Sequence, residues 1–295
     1  PANGNGIVIL ETGTPRLATR LAGEWVFWET GNVDFFAFAM AVPGVIRLIG
    51  LGSVVIDADD EFVKRQQTNV KSIGRELLQN RAAKAAPLAA TGAAVFAEAR
   101  GLGVLNLLAW PVGLEVVVSV VALDGLIYLQ HVASHKIPAL WRLHRVHHAD
   151  RDIDVTTGIR FHPIEIGLSM LYKSALVVIL GISPLAVLIF EVILNGTAMF
   201  NHANIAVPER LDAGLRTLLV TPDMHRVHHS VIGHEFNSNF GFNLSIWDRV
   251  FGTYTAQPSK GHDGMTIGLP GYQSDAPTRL GWSLSLPFRK LPPRN

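Results

Sequence analysis

The chain of 295 residues contains no cysteine. Disulfides, iron–sulfur clusters and thiolate-held zinc are therefore excluded, and any metal must be bound through nitrogen and oxygen. Charge is also scarce. Asp, Glu, Lys and Arg make up 17% of the chain, against about a quarter in ordinary soluble domains. Hydrophobic residues reach 48% and the mean hydropathy is +0.28, so part of the chain is expected in lipid. A formal net charge of +1, with no basic stripe interleaved with aromatics, argues against a nucleic-acid partner. No flavin or nicotinamide fingerprint, haem-attachment motif or HExxH zinc-protease motif occurs, so no organic cofactor site is expected. The first thirty residues lack a basic start followed by an apolar run, and no signal peptide is expected there.

Histidine, by contrast, is concentrated. The run HVASHKIPALWRLHRVHH carries His131, His135, His144, His147 and His148. On a helix, residues three and four apart share one face, so each group aims its imidazoles in one direction. The pentapeptide HRVHH returns as His225, Arg226, Val227, His228 and His229. Neutral imidazole is the commonest side-chain ligand for iron, zinc and copper. Eight imidazoles are too many for one ion and suit two, which predicts a dinuclear metal centre.

The apolar runs place that centre. Residues 113–130 form one expected span, and residues 164–181 and 184–200 form two more, separated by Gly181-Ile182-Ser183-Pro184. Runs of this length just reach across a hydrocarbon core. Two passes return a chain to the side it left, so all eight histidines can meet at one membrane face. Lys136, Arg142, Arg145, Arg151, Arg160, Arg210, Arg216, Arg226 and Arg249 flank the clusters, and the positive-inside rule makes that face cytoplasmic. The expected fold is all-α: a multi-pass helical membrane protein with a cytoplasmic histidine-rich cap. Three regions are expected: an N-terminal region 1–84 with a membrane segment at 35–56, a membrane and metal-site domain at 85–257, and an extended Gly/Pro-rich tail at 258–295. The absence of a C-terminal retrieval signal favours a bacterial inner membrane over an endoplasmic reticulum.

At these residues the chain resembles the sterol desaturase and fatty acid hydroxylase superfamily of integral-membrane di-iron enzymes. The family pattern of HxxxH, HxxHH and a second HxxHH after a membrane hairpin stands here as His131/His135, His144/His147/His148 and His225/His228/His229. Neighbouring text fits as well: TTGIRFHPIE, FNHANI, TPDMHRVHH, NSNFG and WDRVFGTY. The resemblance covers about residues 95–268 and leaves residues 1–80 unmatched. It implies two iron ions held by these histidines, with His162 and His202 as ninth and tenth ligands. It further implies O2-dependent hydroxylation or desaturation of an unactivated C–H bond in a membrane lipid, whether sterol, fatty acyl or ether lipid. Electrons would come from a separate donor, a ferredoxin, cytochrome or reductase docking on the basic face. No catalytic residue beyond the metal ligands is identified. A dinuclear zinc hydrolase is the second reading, although such sites usually include bridging carboxylates. A metal transporter is the third, although it would place ligands at mid-membrane depth.

Other polar residues are candidates to orient the ligand imidazoles from behind. Asp124 lies within an apolar run one and two turns before His131, where a carboxylate normally has a partner. Asp154, Asp223, Asn237 and Asn239 are placed to do the same from loops, with helix capping the plainer role for the two aspartates. His234 is a weaker candidate, His262 is read as structural, and Glu115, Glu165 and Glu191 are weaker candidates than these aspartates and asparagines.

Overall fold

Prolines decide where the helices of this chain begin. In the computed structural model, which describes residues 81–109 and 111–290, α1 (Arg81–Ala99) precedes α2 (Val112–Lys136). Then come α3 (Pro138–His148), α4 (Pro163–Leu180), α5 (Pro184–His202), α6 (Glu209–Leu215), α7 (Pro222–His228) and α8 (Ile246–Val250). The segment at 35–56 and most of the N-terminal region lie outside the described residues. Pro138, Pro163, Pro184 and Pro222 each open a helix, where the missing N–H costs nothing and the fixed φ is already helical. Among the described residues there is no strand, and the β-pairing is confined to the isolated bridges Leu219–Leu244 and Ser230–Ile267.

Helices α2, α4 and α5 are long and apolar enough to cross a membrane. Their outer faces leave Val117, Leu171, Ile179 and Val192 about 60% exposed. Apolar faces of this extent call for a membrane or a partner against them, and the length of the three helices favours a membrane. The inner faces pack with α1 into a core of Ala90, Ala94, Leu123, Val177, Val187 and Phe190. At the turn between α4 and α5, Gly181 adopts φ +71° and approaches Gly103, itself at φ +95°. A Cβ at Gly103 would lie 2.1 Å from the Gly181 nitrogen, so this contact requires glycine. At that same end Ser183 Oγ donates to Glu115 Oε2 (2.8 Å), fixing the start of α2 beside the hairpin turn. The end of α2, the start of α4 and the end of α5 therefore share the opposite end of the bundle.

Two expectations about extent are corrected. The span expected at 113–130 continues as α2 through His131 and His135 to Lys136. The reason is local: HVASHK contains no breaker, whereas Pro138 forces Ile137 out of the helical region (φ −90°, ψ 116°). At 25 residues α2 is about 37 Å long, longer than the roughly 30 Å hydrocarbon core. Its last two turns carry the first two histidines on the span helix itself, not in a loop beyond it.

The tail after 258, expected to be extended, forms α9 (Gly261–Gly264), α10 (Leu280–Ser285) and 3-10 turns. Leu286 is fully buried beside Trp141, Val146 and Ala149. The carbonyls of this irregular segment need donors, and arginines supply them. Arg142 donates to Pro287 O (3.1 Å), Arg145 to Leu286 O and Arg160 to Pro277 O. Arg145, Arg160 and Arg216 are consequently buried, the last paired with Asp212, and contribute nothing to a basic surface. Lys136, Arg210 and Arg249 do remain exposed.

Candidate metal centre

The break at Ile137-Pro138 turns α3 back across the end of α2, and this turn builds half of the site. His131 and His135 on α2 meet His144 and His148 on α3 and His228 on α7. The five offer one nitrogen each, all within 4.8 Å of one another. A second group, under the same limit, joins His147 of α3, His202 at the end of α5, His225 of α7 and His229 just after it. All nine are buried. The two groups abut, with the rings of His148 and His229 stacked at a centroid distance of 4.5 Å.

Four of these rings have a fixed tautomer. The Nδ1 of His131 faces Phe240 O (2.7 Å), that of His202 faces Ala198 O (2.6 Å) and that of His228 faces Ser238 O (2.7 Å). A carbonyl can only accept, so the proton sits on Nδ1 and Nε2 presents a lone pair. His144 Nδ1 likewise donates to the Glu165 carboxylate at 2.6 Å. His131 Nε2 and His144 Nε2 then face each other at 3.2 Å with no proton between them. His202 Nε2 likewise aims its lone pair at His147 Nε2 (3.2 Å) and His225 Nε2 (3.0 Å), whose own Nδ1 atoms have no described partner, while His228 Nε2 is buried with no hydrogen-bond partner. Converging lone pairs repel unless a cation lies between them. Two nitrogens bound to one ion at about 2.1 Å stand roughly 3.0–3.4 Å apart, matching these separations. The residues therefore fit two metal ions held entirely by imidazole. This donor set suits iron, zinc, copper or nickel.

Aromatic rings close the site to water. Phe161 stacks on His147 (4.4 Å), Trp141 and Phe236 cover His135, and Phe240 packs on His131 and His228. Burial holds His147, His148, His225 and His229 well below the usual imidazole range and His228 down at about 3, with neighbouring imidazoles adding to the effect. The unfolded chain takes up these protons near pH 6.5 and the folded chain does not, so lowering the pH favours unfolding. For metal-stripped protein, thermal unfolding should shift to progressively lower temperature from pH 7 to pH 5. A flat profile over that window would contradict the burial of these rings as neutral bases.

Two motifs meet to supply the carbonyls behind His131 and His228. Within NSNFG, Asn239 takes the left-handed conformation (φ 51°) and its Nδ2 donates to Met224 O and Thr255 O, each at 2.8 Å. Asp248, from WDRVFGTY, accepts from Phe240 N (2.7 Å), Gly241 N (2.9 Å) and Thr253 Oγ1 (2.7 Å). Burial raises its carboxyl to about 6. Sequence reasoning did not single out Asp248, although its place in WDRVFGTY was a usable signal.

Several sequence-based expectations are placed elsewhere. His162 lies outside both groups: its Nδ1 accepts from Ile164 N (3.2 Å) as the N-cap of α4, and its Nε2 donates to Leu284 O (3.3 Å). The residue before a helix-opening proline is a natural cap. None of the five residues expected to orient imidazoles contacts a clustered histidine in the described hydrogen bonds, Asn239 acting only through the backbone it holds. Asp124 accepts from Asn243 N, Leu244 N and Trp247 Nε1, anchoring the cap to α2. Asp154 caps the short helix Val155–Ile159 through Thr156 N, Asp223 pairs with Arg226, and Asn237 donates to Gly233 O. The carboxylate that does orient an imidazole is Glu165. His234 is exposed and lies 4.0 Å from Glu235.

Residues 116–253 match the family model described as fatty acid hydroxylase. The chain is 32% identical over 167 residues to the ornithine lipid hydroxylase OlsE of Rhizobium tropici, covering 55% of this chain and 47% of that protein. It is 30% identical over 140 residues to the alkylglycerol monooxygenase of Homo sapiens, covering 47% of this chain and 30% of the relative. Cholesterol 25-hydroxylase of Rattus norvegicus is 26% identical over 153 residues, 49% of this chain and 48% of that protein. The match thus spans about half or less of each of these relatives. No solved structure matches the chain.

Proposed function

We propose, from the match of residues 116–253 to the fatty acid hydroxylase family model, that the chain is a member of that superfamily and an O2-dependent di-iron enzyme hydroxylating or desaturating an unactivated C–H position of a membrane lipid. The observation that carries this reading is the pair of buried all-imidazole groups with Nε2 atoms converging at 3.0–3.3 Å. Similarity to hydroxylases and monooxygenases of ornithine lipid, alkylglycerol and cholesterol supports lipid as the substrate class.

Two iron ions, held by His131, His135, His144, His148 and His228 on one side and His147, His202, His225 and His229 on the other, would supply O2 activation when bound. The protein's own contribution is positional. Phe240 O, Ser238 O, Ala198 O and Glu165 hold four imidazoles in the metal-facing tautomer. Phe161, Trp141 and Phe236 screen the clustered imidazoles from bulk water. Hydroxylation consumes O2, two electrons and two protons and releases one water. The electrons come from a separate donor, a ferredoxin, cytochrome or reductase. We place the metal site on the cytoplasmic face of a multi-pass protein, where Lys136, Arg210 and Arg249 are exposed, and in a bacterial inner membrane. Purified protein given reductant, isotopically labelled O2 and membrane lipid should transfer one labelled oxygen atom into a lipid hydroxyl, or yield a new double bond. Unchanged lipid with metal bound and reductant consumed would refute the lipid-oxidation reading.

A further inference from the structure

A cavity of about 330 Å³ runs from the histidines into the helical bundle between α2, α4 and α5. One end is formed by His131, His144 and Glu165, and most of the wall is apolar, with Ile127, Ile166 and Leu194 among its residues. Its volume lies at the lower end of the range for small-molecule sites. One side of the wall is polar. Glu165, Ser169 and Lys173 repeat every four residues on α4, and Glu191 and Asn195 do so on α5. Lys173 Nζ lies 2.5 Å from Glu191 Oε1, with 6% and 5% of the two residues exposed. Asn195 Nδ2 is 3.5 Å from Glu191 Oε2, and Ser169 Oγ is 3.4 Å from Gln130 Oε1.

An ion pair within a membrane-spanning bundle is costly, and apolar side chains of similar volume would join α4 to α5 at least as well. Its place on a cavity wall calls for a role toward whatever fills the cavity. A proton path to the metal site is disfavoured by geometry. Lys173 lies two helical turns, about 12 Å, deeper into the span than Glu165, away from the end that carries the histidines. The pair also offers both hydrogen-bond senses. The ammonium has three N–H groups and Glu191 as its one described partner.

We propose that Lys173 and Glu191, assisted by Asn195, form a recognition site for a substrate group that both donates and accepts hydrogen bonds, a hydroxyl or a secondary amide. The distance along α4 sets that group roughly ten bonds of an extended chain from the carbon presented to the histidines. This inference deepens the lipid-oxidation reading and rests on it, but it concerns binding and can be measured without turnover. The probes are radiolabelled 1-hexadecanol and hexadecane, which differ in one hydroxyl, with retention measured on metal-loaded, detergent-purified protein. Wild-type protein should hold the alcohol at least tenfold more tightly than the alkane. Lys173→Met/Glu191→Met should abolish that preference while metal content and melting temperature are retained, and Lys173→Arg should preserve it. Equal affinity of wild-type protein for the two probes would overturn the proposal, whatever the stability of the variants. So would a preference that survives in a folded double variant. Loss of lipid oxidation with the alcohol preference intact would instead count against the metal chemistry.

Discussion

His147→Ala and His228→Ala, each made alone, are expected to lower lipid oxidation by more than 100-fold while the protein still inserts and purifies. His147 Nε2 lies 3.2 Å from His202 Nε2 and has no role in joining the spanning helices. His228 belongs to the other group, and its Nε2 has no hydrogen-bond partner. Each variant removes one lone pair from a converging set and leaves a small apolar void. Loss of one ligand exceeds the 10–100-fold effects usual for residues behind the ligands. Elemental analysis of the same preparations should show less metal per chain, which separates a failed site from a failed fold. Near-normal turnover in either variant would remove that histidine from the centre.

Glu165→Ala is expected to weaken metal retention by about 10–100-fold, the range for a residue that orients a ligand imidazole. Its Oε1 accepts from His144 Nδ1 at 2.6 Å and so fixes the tautomer that turns Nε2 toward His131. Without it, either ring nitrogen can carry the proton and the metal-facing lone pair is no longer guaranteed. Glu165→Gln keeps an acceptor oxygen and should fall between wild type and alanine. Metal release to a chelator, measured as a half-time, reads the ranking directly. Equal half-times for wild type and Glu165→Ala would mean that the bond does not set the tautomer.

The contrast between Glu165 and Asp124 shows which parts of this site a sequence can carry. The clustered histidines were legible because spacings of three and four put them on one helical face, and the HRVHH repeat supplied the second half. Apolar runs gave α4 and α5 to within two residues. Nothing in the spacing of Glu165 ties it to His144, because they meet only when α4 packs under α3. Asp124 carried the stronger expectation, as a carboxylate in an apolar run, yet its partners are backbone amides of the cap around Asn243. The carbonyls of Phe240 and Ser238 have no side-chain identity at all. Their position depends on Asn239 holding φ 51° and on Asp248 gathering the amides of Phe240 and Gly241. His162 was misplaced for a related reason. A histidine before a proline reads as motif, whereas its geometry is that of a helix cap. The arginines show the same limit from the opposite side, since charge counted along the chain did not reveal that Arg145 and Arg160 turn inward to hold the tail.

Metal content per chain, by elemental analysis of detergent-purified protein from iron-replete cells, tests the central claim most directly. Two groups of converging imidazoles predict close to two irons per chain in the wild type and clearly less in His147→Ala. Two zinc ions without iron would contradict the oxygenase reading and favour hydrolysis, and an absence of metal from folded protein would contradict the dinuclear centre itself.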